Sequence, residues 1–164
     1  GRVSSPCYDA IHTRTVALVR GAFWVVRDVV EAPSRHAYAI RWHLDPRCEG
    51  RTTVADARDG GVVVDGPGVR LLVEHVLGAR TSLEPGWVSP TYGERLPAPV
   101  VVTRLDDVVS IDVVTVVAGR AAPTSLAVAR GREAIEVHVA DADGVDVVRW
   151  ADGLARPEHR RAGA

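Results

Sequence analysis

From His36 to Leu44 the chain alternates without a break. His36, Tyr38, Ile40, Trp42 and Leu44 fall on one side of an extended backbone, and Ala37, Ala39, Arg41 and His43 on the other. Such a pattern belongs to a strand with one face turned to a core, because successive side chains of a strand point to opposite faces. The large, mostly apolar face is the one expected inside. Two further runs precede it. Ile11 to Arg20 is rich in Thr and Val, Ala22 to Val30 is a second apolar run, and Arg20-Gly21 between them supplies a turn in which glycine takes φ > 0 at no steric cost. The two runs are expected to pair as a hairpin.

Short apolar runs and turn residues continue along the chain. Thr52 to Ala57 and Val62 to Asp65 flank Arg58-Asp59-Gly60-Gly61, whose Asp-Gly and Gly-Gly pairs favour a tight hairpin. Val69 to Val76 and Thr81 to Leu83 read as two more strands. Pro85 to Pro99 is the longest irregular stretch, with four prolines that lack an N–H, and a loop crossing a sheet edge is expected there. Strands resume at Pro99 to Leu105, Ser110 to Ala118, Ser125 to Arg130, Ala134 to Ala140 and Val145 to Trp150; Gly131 and Asp143-Gly144 divide the last three into a meander. No segment keeps helical periodicity over ten or more residues. Roughly eleven short strands predict an all-β fold, an antiparallel β-sandwich of layered sheets over residues 1–155, with a flexible basic tail over 156–164. Its core is expected to include Phe23, Val25, Tyr38, Ile40, Trp42, Val114 and Val116.

At 164 residues the chain suffices for one domain with a substantial core. Its 20 basic and 21 acidic side chains leave a net charge of −1, so no global field draws it to nucleic acid or to an anionic membrane. Every basic residue is Arg, and Lys, Asn, Gln and Met are missing altogether. That pattern reflects GC-rich coding, so arginine abundance carries no message about ligands by itself, although each guanidinium can clamp a carboxylate bidentately. Cys7 and Cys48 are too few for a metal ribbon or a disulfide scaffold, and whether they pair depends on where the N-terminal arm lies. No apolar run approaches the ~18 residues of a membrane span. Residues 1–20 show no signal-peptide pattern, which leaves the start of any longer parent open. Nucleophile-elbow, phosphate-loop, zinc-type and dinucleotide patterns are also missing, which argues against an independent hydrolase or transferase site.

Four blocks carry a family resemblance. They are His12-x-Arg14, Gly21-x-Phe23-Trp24-Val25-Val26-x-Asp28, His36 with Trp42-His43-Leu44-x-Pro46, and Trp87-x-Ser89-x-x-Tyr92-Gly93. In this order they resemble the C-terminal β-sheet region of heparinase II/III-like polysaccharide lyases. The resemblance implies a parent protein that breaks uronic-acid-containing polysaccharides by β-elimination. In members of the family the chemistry sits on an upstream helical toroid and on a His-x-His-x-Asp element early in the sheet domain. This chain holds no His-x-His and no long helical repeat. It is therefore expected to begin after those elements, to lack catalytic residues, and to hold no metal or cofactor of its own. The partners implied are an acidic polysaccharide such as alginate or a glycosaminoglycan and the toroid of the same parent, with a secreted or periplasmic location.

Six residues stand out as substrate-binding candidates. His12 and Arg14 lie two apart on one strand and point the same way; they suit a uronate carboxylate, or equally a solvated or interdomain face. Trp87, Tyr92, Glu94 and Arg95 share the proline-rich stretch, where a ring can stack on a sugar, Arg can take its carboxylate and Glu a hydroxyl. The competing reading makes Trp87 a plug at the core edge and Tyr92-Gly93 a structural turn. His43 can titrate, with a reference pKa of about 6.5, but has no visible catalytic partner. Asp106-Asp107 and Asp141-x-Asp143-x-x-Asp146 offer hard oxygen ligands, yet the second set falls on a turn where Asp is expected anyway. The alternative function class is a non-catalytic carbohydrate-binding or structural β-sandwich module.

Overall fold

The turn at Arg20-Gly21 sets the register of everything around it. Both residues adopt positive φ, 50° and 68°, and the Ala22 N–H donates to the Val19 carbonyl at 2.9 Å. This is type I′ geometry, whose twist matches the strands it joins. It pairs β2 (Tyr8–Val19) with the first part of β3 (Phe23–His43), from Val19 opposite Phe23 to Ile11 opposite Glu31. The short β1 (Arg2–Ser5) adds to the outer edge of β2. The computed structural model describes residues 1–57, 60–119, 123–151 and 158–162.

On its other side β3 pairs with β8 (Leu96–Ala118) along two separate stretches, residues 23–31 with 110–118 and residues 38–43 with 100–105. Between them the register shifts twice, Asp107 takes φ 56°, and Arg35 donates to the Asp107 carbonyl and, at 3.2 Å, to its carboxylate. Bulges of this kind bend a ladder without ending it. The sheet accordingly turns back on itself. Ile40 and Leu105 from beyond the bend pack against Val73, Ile111 and Val113 from before it, and Leu44 and Val101 pack against Val64 and Leu71.

The order in this sheet is β1-β2-β3-β8-β6-β5-β4, with β4 (Thr53–Asp56), β5 (Val62–Gly66) and β6 (Val69–Val73), while β7 (Arg80–Val88) pairs with β8 beyond the bend. A second sheet, β12-β11-β10-β9, comprises β9 (Ser125–Arg130), β10 (Ala134–Asp141), β11 (Gly144–Ala151) and β12 (Glu158–Ala162). Its Val137, Val139, Val148 and Trp150 pack against Phe23, Val25, Val114 and Val116 of the first sheet. All pairs are antiparallel, and no α-helix occurs among the described residues. The fold is an all-β sandwich.

Several sequence expectations need correction. The three opening strands are two, because β3 runs through Ala32-Pro33-Ser34-Arg35 as a bulged continuation. The expected loop from Pro85 to Pro99 is mostly paired strand, and only residues 89–95 connect β7 to β8. The prolines fit for a directional reason. The Pro99 carbonyl accepts from Leu44 N–H at 3.0 Å, so Pro99 and Pro97, two residues earlier, turn their nitrogens away from β7 and cost no bond of that ladder. Pro85 stands opposite Pro99, so its nitrogen faces the outer edge. Tyr38 and Trp42 are half-buried at the margin of the core, whereas Phe23, Val25, Ile40, Val114 and Val116 are buried within it. Residues 158–162, expected as tail, pair with β11. Cys7 is exposed and Cys48 buried, and they are not bonded to each other. Arg58 and Asp59 of the predicted hairpin turn lie outside the described residues, though β4 and β5 pair as expected.

Candidate functional site

The bend opens a cleft of about 390 Å³ between the two halves of the first sheet. Before the bend its wall is β2 and β3, which present Tyr8, His12, Arg14 and Asp28; after the bend it is His36, Tyr38 and Arg41. Val30, Ile40 and Ile111 supply apolar surface. Strand alternation accounts for the placement, since His12 and Arg14 share the β2 face that Asp28 shares on β3, with Arg14 directly opposite Asp28.

Asp28 organises this wall. It is 1% exposed, and both its oxygens are engaged: Oδ1 contacts His12 Nε2 at 2.7 Å and accepts from Arg14 Nε at 2.7 Å, while Oδ2 accepts from Arg14 Nη2 at 2.9 Å. The Arg14 guanidinium also lies over the Trp42 ring, 5.0 Å from its centroid, which ties the wall to the strand beyond the bend. A second carboxylate, Asp9, lies on β2 outside the cleft lining and is more exposed. Asp9 receives Ser34 Oγ at 3.1 Å and pairs with His36 Nε2 at 2.8 Å. The Ser34 hydrogen bond, with a smaller effect from His36, holds the Asp9 carboxyl below its ordinary range, against the opposing effect of burial. Ser34 and Asp9 both meet the same nitrogen of His36, so the three do not form a relay through the imidazole. Burial, and then the charge of Asp9, raises the Tyr38 phenol.

The other candidates sit where β7 passes into β8. Trp87 is 47% exposed, and the Arg95 guanidinium lies 4.3 Å from its ring centroid. Tyr92 is fully exposed at the tip, and Glu94 accepts a hydrogen bond from Thr91 Oγ1 at 2.8 Å. Trp87 is thus neither a core plug nor a bare platform, because one ring face carries a cation. No hydrogen bond or ring contact joins this group to His12 and Arg14. Residue spacing alone brings forward His12 and Arg14 but misses Asp28, Tyr8, His36, Tyr38 and Arg41. Asp28 has only a partial local signal: a two-residue turn at Arg20-Gly21 would set Arg14 opposite Arg27, and the observed register, with Val19 opposite Phe23, sets it opposite Asp28. The rest depend on the bend.

Elsewhere Asp141 and Asp146 are held by guanidinium groups, Arg20 and Arg161 each reaching both carboxylates. Asp107 is taken by Arg35. His43 is exposed on the outer face beyond the bend. Val16, Leu18 and Trp24 remain 49%, 51% and 46% exposed on the face of β2 and β3 that carries Arg14.

A family model described as "Heparinase II/III-like, C-terminal" matches residues 5–151. Among solved structures, a heparinase III gene product superposes with a TM-score of 0.63 at 16% identity. The heparan sulfate lyase HepC from Pedobacter heparinus does so with a TM-score of 0.59 at 14% identity. In both cases 99% of this chain is covered but only 25% of the other, so the chain spans about a quarter of their length. No curated protein matches.

Proposed function

The chain belongs to the heparinase II/III-like C-terminal family, and from that premise we propose that it is the distal β-portion of a lyase that breaks uronic-acid-containing polysaccharides by β-elimination. The family match over residues 5–151 carries this reading. In such a reaction a base removes the proton α to the uronate carboxylate, an acid assists the leaving oxygen, and neutralisation of the carboxylate stabilises the enolate-like intermediate. The residues present suit only the last of these tasks. His12 and Arg14 are both engaged by the buried Asp28, which makes them supports of the cleft wall rather than a free base and clamp. Trp87 offers a ring face for stacking, with Arg95 set beside it for an anionic substituent and Glu94 for a hydroxyl. The exposed Val16, Leu18 and Trp24 supply an apolar face for the remainder of a longer polypeptide, a helical toroid in this reading. The complete enzyme would act in the periplasm or outside the cell, where such polymers occur.

Elimination leaves a C4–C5 double bond conjugated to the carboxylate, which absorbs in the ultraviolet. The complete protein should produce a steady absorbance rise on alginate or heparan sulfate, and the isolated chain none. A rise from the isolated chain that His12→Ala abolishes would place catalysis in these residues and overturn the assignment. A complete protein that binds these polymers without cleaving them would favour a carbohydrate-binding module instead.

A further inference from the structure

We propose that residues 15–19 of β2 pair with the stretch of polypeptide immediately preceding Gly1, which continues β1 as far as the Arg20-Gly21 turn. The inference rests on the longer polypeptide of the reading above and gives the nearest part of it a place. The observation behind it is an open ladder. β1 covers only the first half of the outer edge of β2, and the contact at its end is reciprocal: the Gly1 nitrogen donates to the Arg14 carbonyl and the Arg14 N–H to the Gly1 carbonyl, both at 2.8 Å. Hydrogen-bonding direction alternates along a strand, so Val16 and Leu18 also turn their N–H and C=O outward, while Thr15, Ala17 and Val19 turn theirs toward β3. Neither Val16 nor Leu18 has a strand partner on that side among the described residues. The residues of this edge are those of an interior strand. Thr15-Val16-Ala17-Leu18-Val19 holds no charge and no proline, the devices that keep exposed edges from pairing. Elsewhere in the sheet β7 turns Pro85 to its outer edge, and the edge strand β4 has only four residues.

Chain direction selects the occupant. β1 runs antiparallel to β2, with Arg2 opposite Thr13 and Gly1 opposite Arg14. In that register the residue before Gly1 falls opposite Thr15, the second before it opposite Val16 and the fourth opposite Leu18. The second and fourth exchange hydrogen bonds with Val16 and Leu18 and set their side chains beside them, on the face where these two are 49% and 51% exposed. Apolar residues are expected at both positions. The third and fifth face the other way, where Ala17 and Val19 are buried against the second sheet. A strand continuous with β1 pairs intramolecularly, which favours it over the same edge of a second copy.

Residue-resolved hydrogen exchange and a cysteine crosslink, both in the complete protein, test this. The Val16 and Leu18 amides should exchange at least about tenfold more slowly than solvent-exposed amides, in step with Ala17 and Val19. Free exchange at 16 and 18 beside slow exchange at 17 and 19 would overturn the proposal. Opposed residues of a pair without hydrogen bonds stand about 4.5 Å apart at Cα, within reach of a disulfide. Thr15→Cys should therefore oxidise to a bond with a cysteine placed immediately before Gly1, and Thr13→Cys, two residues along, should not. Slow exchange without that bond would give the edge to another segment, and protection that fades on dilution would give it to a second copy; either result overturns the proposal. Slow exchange and the bond in a protein that cleaves no uronate polymer would keep the strand and remove the lyase reading, and elimination by a protein that shows neither would do the reverse.

Discussion

At the scale of single residues, Asp28 shows how one buried charge is made tolerable and how unevenly its loss is felt by the groups around it. A carboxylate that is 1% exposed is kept in place because Arg14 and His12 together satisfy both of its oxygens, and those partners are themselves 40% exposed. The two sides of the interaction are therefore unequal. Arg14→Ala leaves a buried carboxylate with only an imidazole, a loss of about 3 kcal/mol in unfolding free energy. Asp28→Ala leaves an arginine and a histidine that water can reach, so it should cost less, about 1–2 kcal/mol. Chemical denaturation of both variants checks the order; equal losses, or a larger loss for Asp28→Ala, would mean that Asp28 does not depend on Arg14.

Among the elements, β7 and β8 separate what is legible in the sequence from what it conceals. Gly86 lies in β7 where a Cβ would fall 2.4 Å from Val100 Cγ2 and 3.1 Å from the Ala98 carbonyl. Val100 is buried and stiff at χ1, so it cannot swing aside. Gly86→Ala should thus destabilise by about 1–3 kcal/mol even though alanine suits a strand better than glycine. An unchanged melting temperature would show that β7 shifts freely on β8. That close approach explains why a stretch dense in Pro and Gly reads as a loop yet forms a ladder: which side each proline nitrogen faces is a property of pairing, and pairing is not local. Alternation, by contrast, is local. It reveals the hairpin of β2 and β3, the meander of β9 to β11 and most of the core, but not the one-residue offset at the Arg20-Gly21 turn that sets Arg14 opposite Asp28. The bend at Arg35 and Asp107 leaves no such trace, so the cleft that unites residues 8–14 with 36–41 is out of reach of local pattern, as is the stacking of Arg95 on Trp87.

For the whole molecule, the question is what joins the second sheet to the first beyond their shared apolar layer. Two ionic ties do so. Arg130 of β9 reaches Glu74 and the Asp112 carbonyl, and Arg20 reaches from the tip of the β2–β3 hairpin to Asp141 and the fully buried Asp146 on the second sheet. Arg161 of β12 meets the same two carboxylates at 2.7 and 2.9 Å, so one cluster fastens the edge strand and the hairpin together. Arg161 first, then the Asp143 N–H, and Arg20 after them hold the Asp141 carboxyl well below the ordinary carboxylate range. A folded-state pKa below the unfolded one adds stability that is complete above the unfolded value and fades as pH falls toward the folded value. The contribution should therefore be whole at pH 6 and decline below about pH 4. Asp141→Asn removes the titrating group: it should melt lower than the wild type at pH 6, and the gap should narrow by pH 3 as the carboxyl of the unfolded wild-type chain takes up its proton while the folded one stays ionised. Calorimetric scans of the two proteins at both pH values decide the matter, and a gap that stays constant would mean the cluster does not couple acid titration to the joining of the sheets.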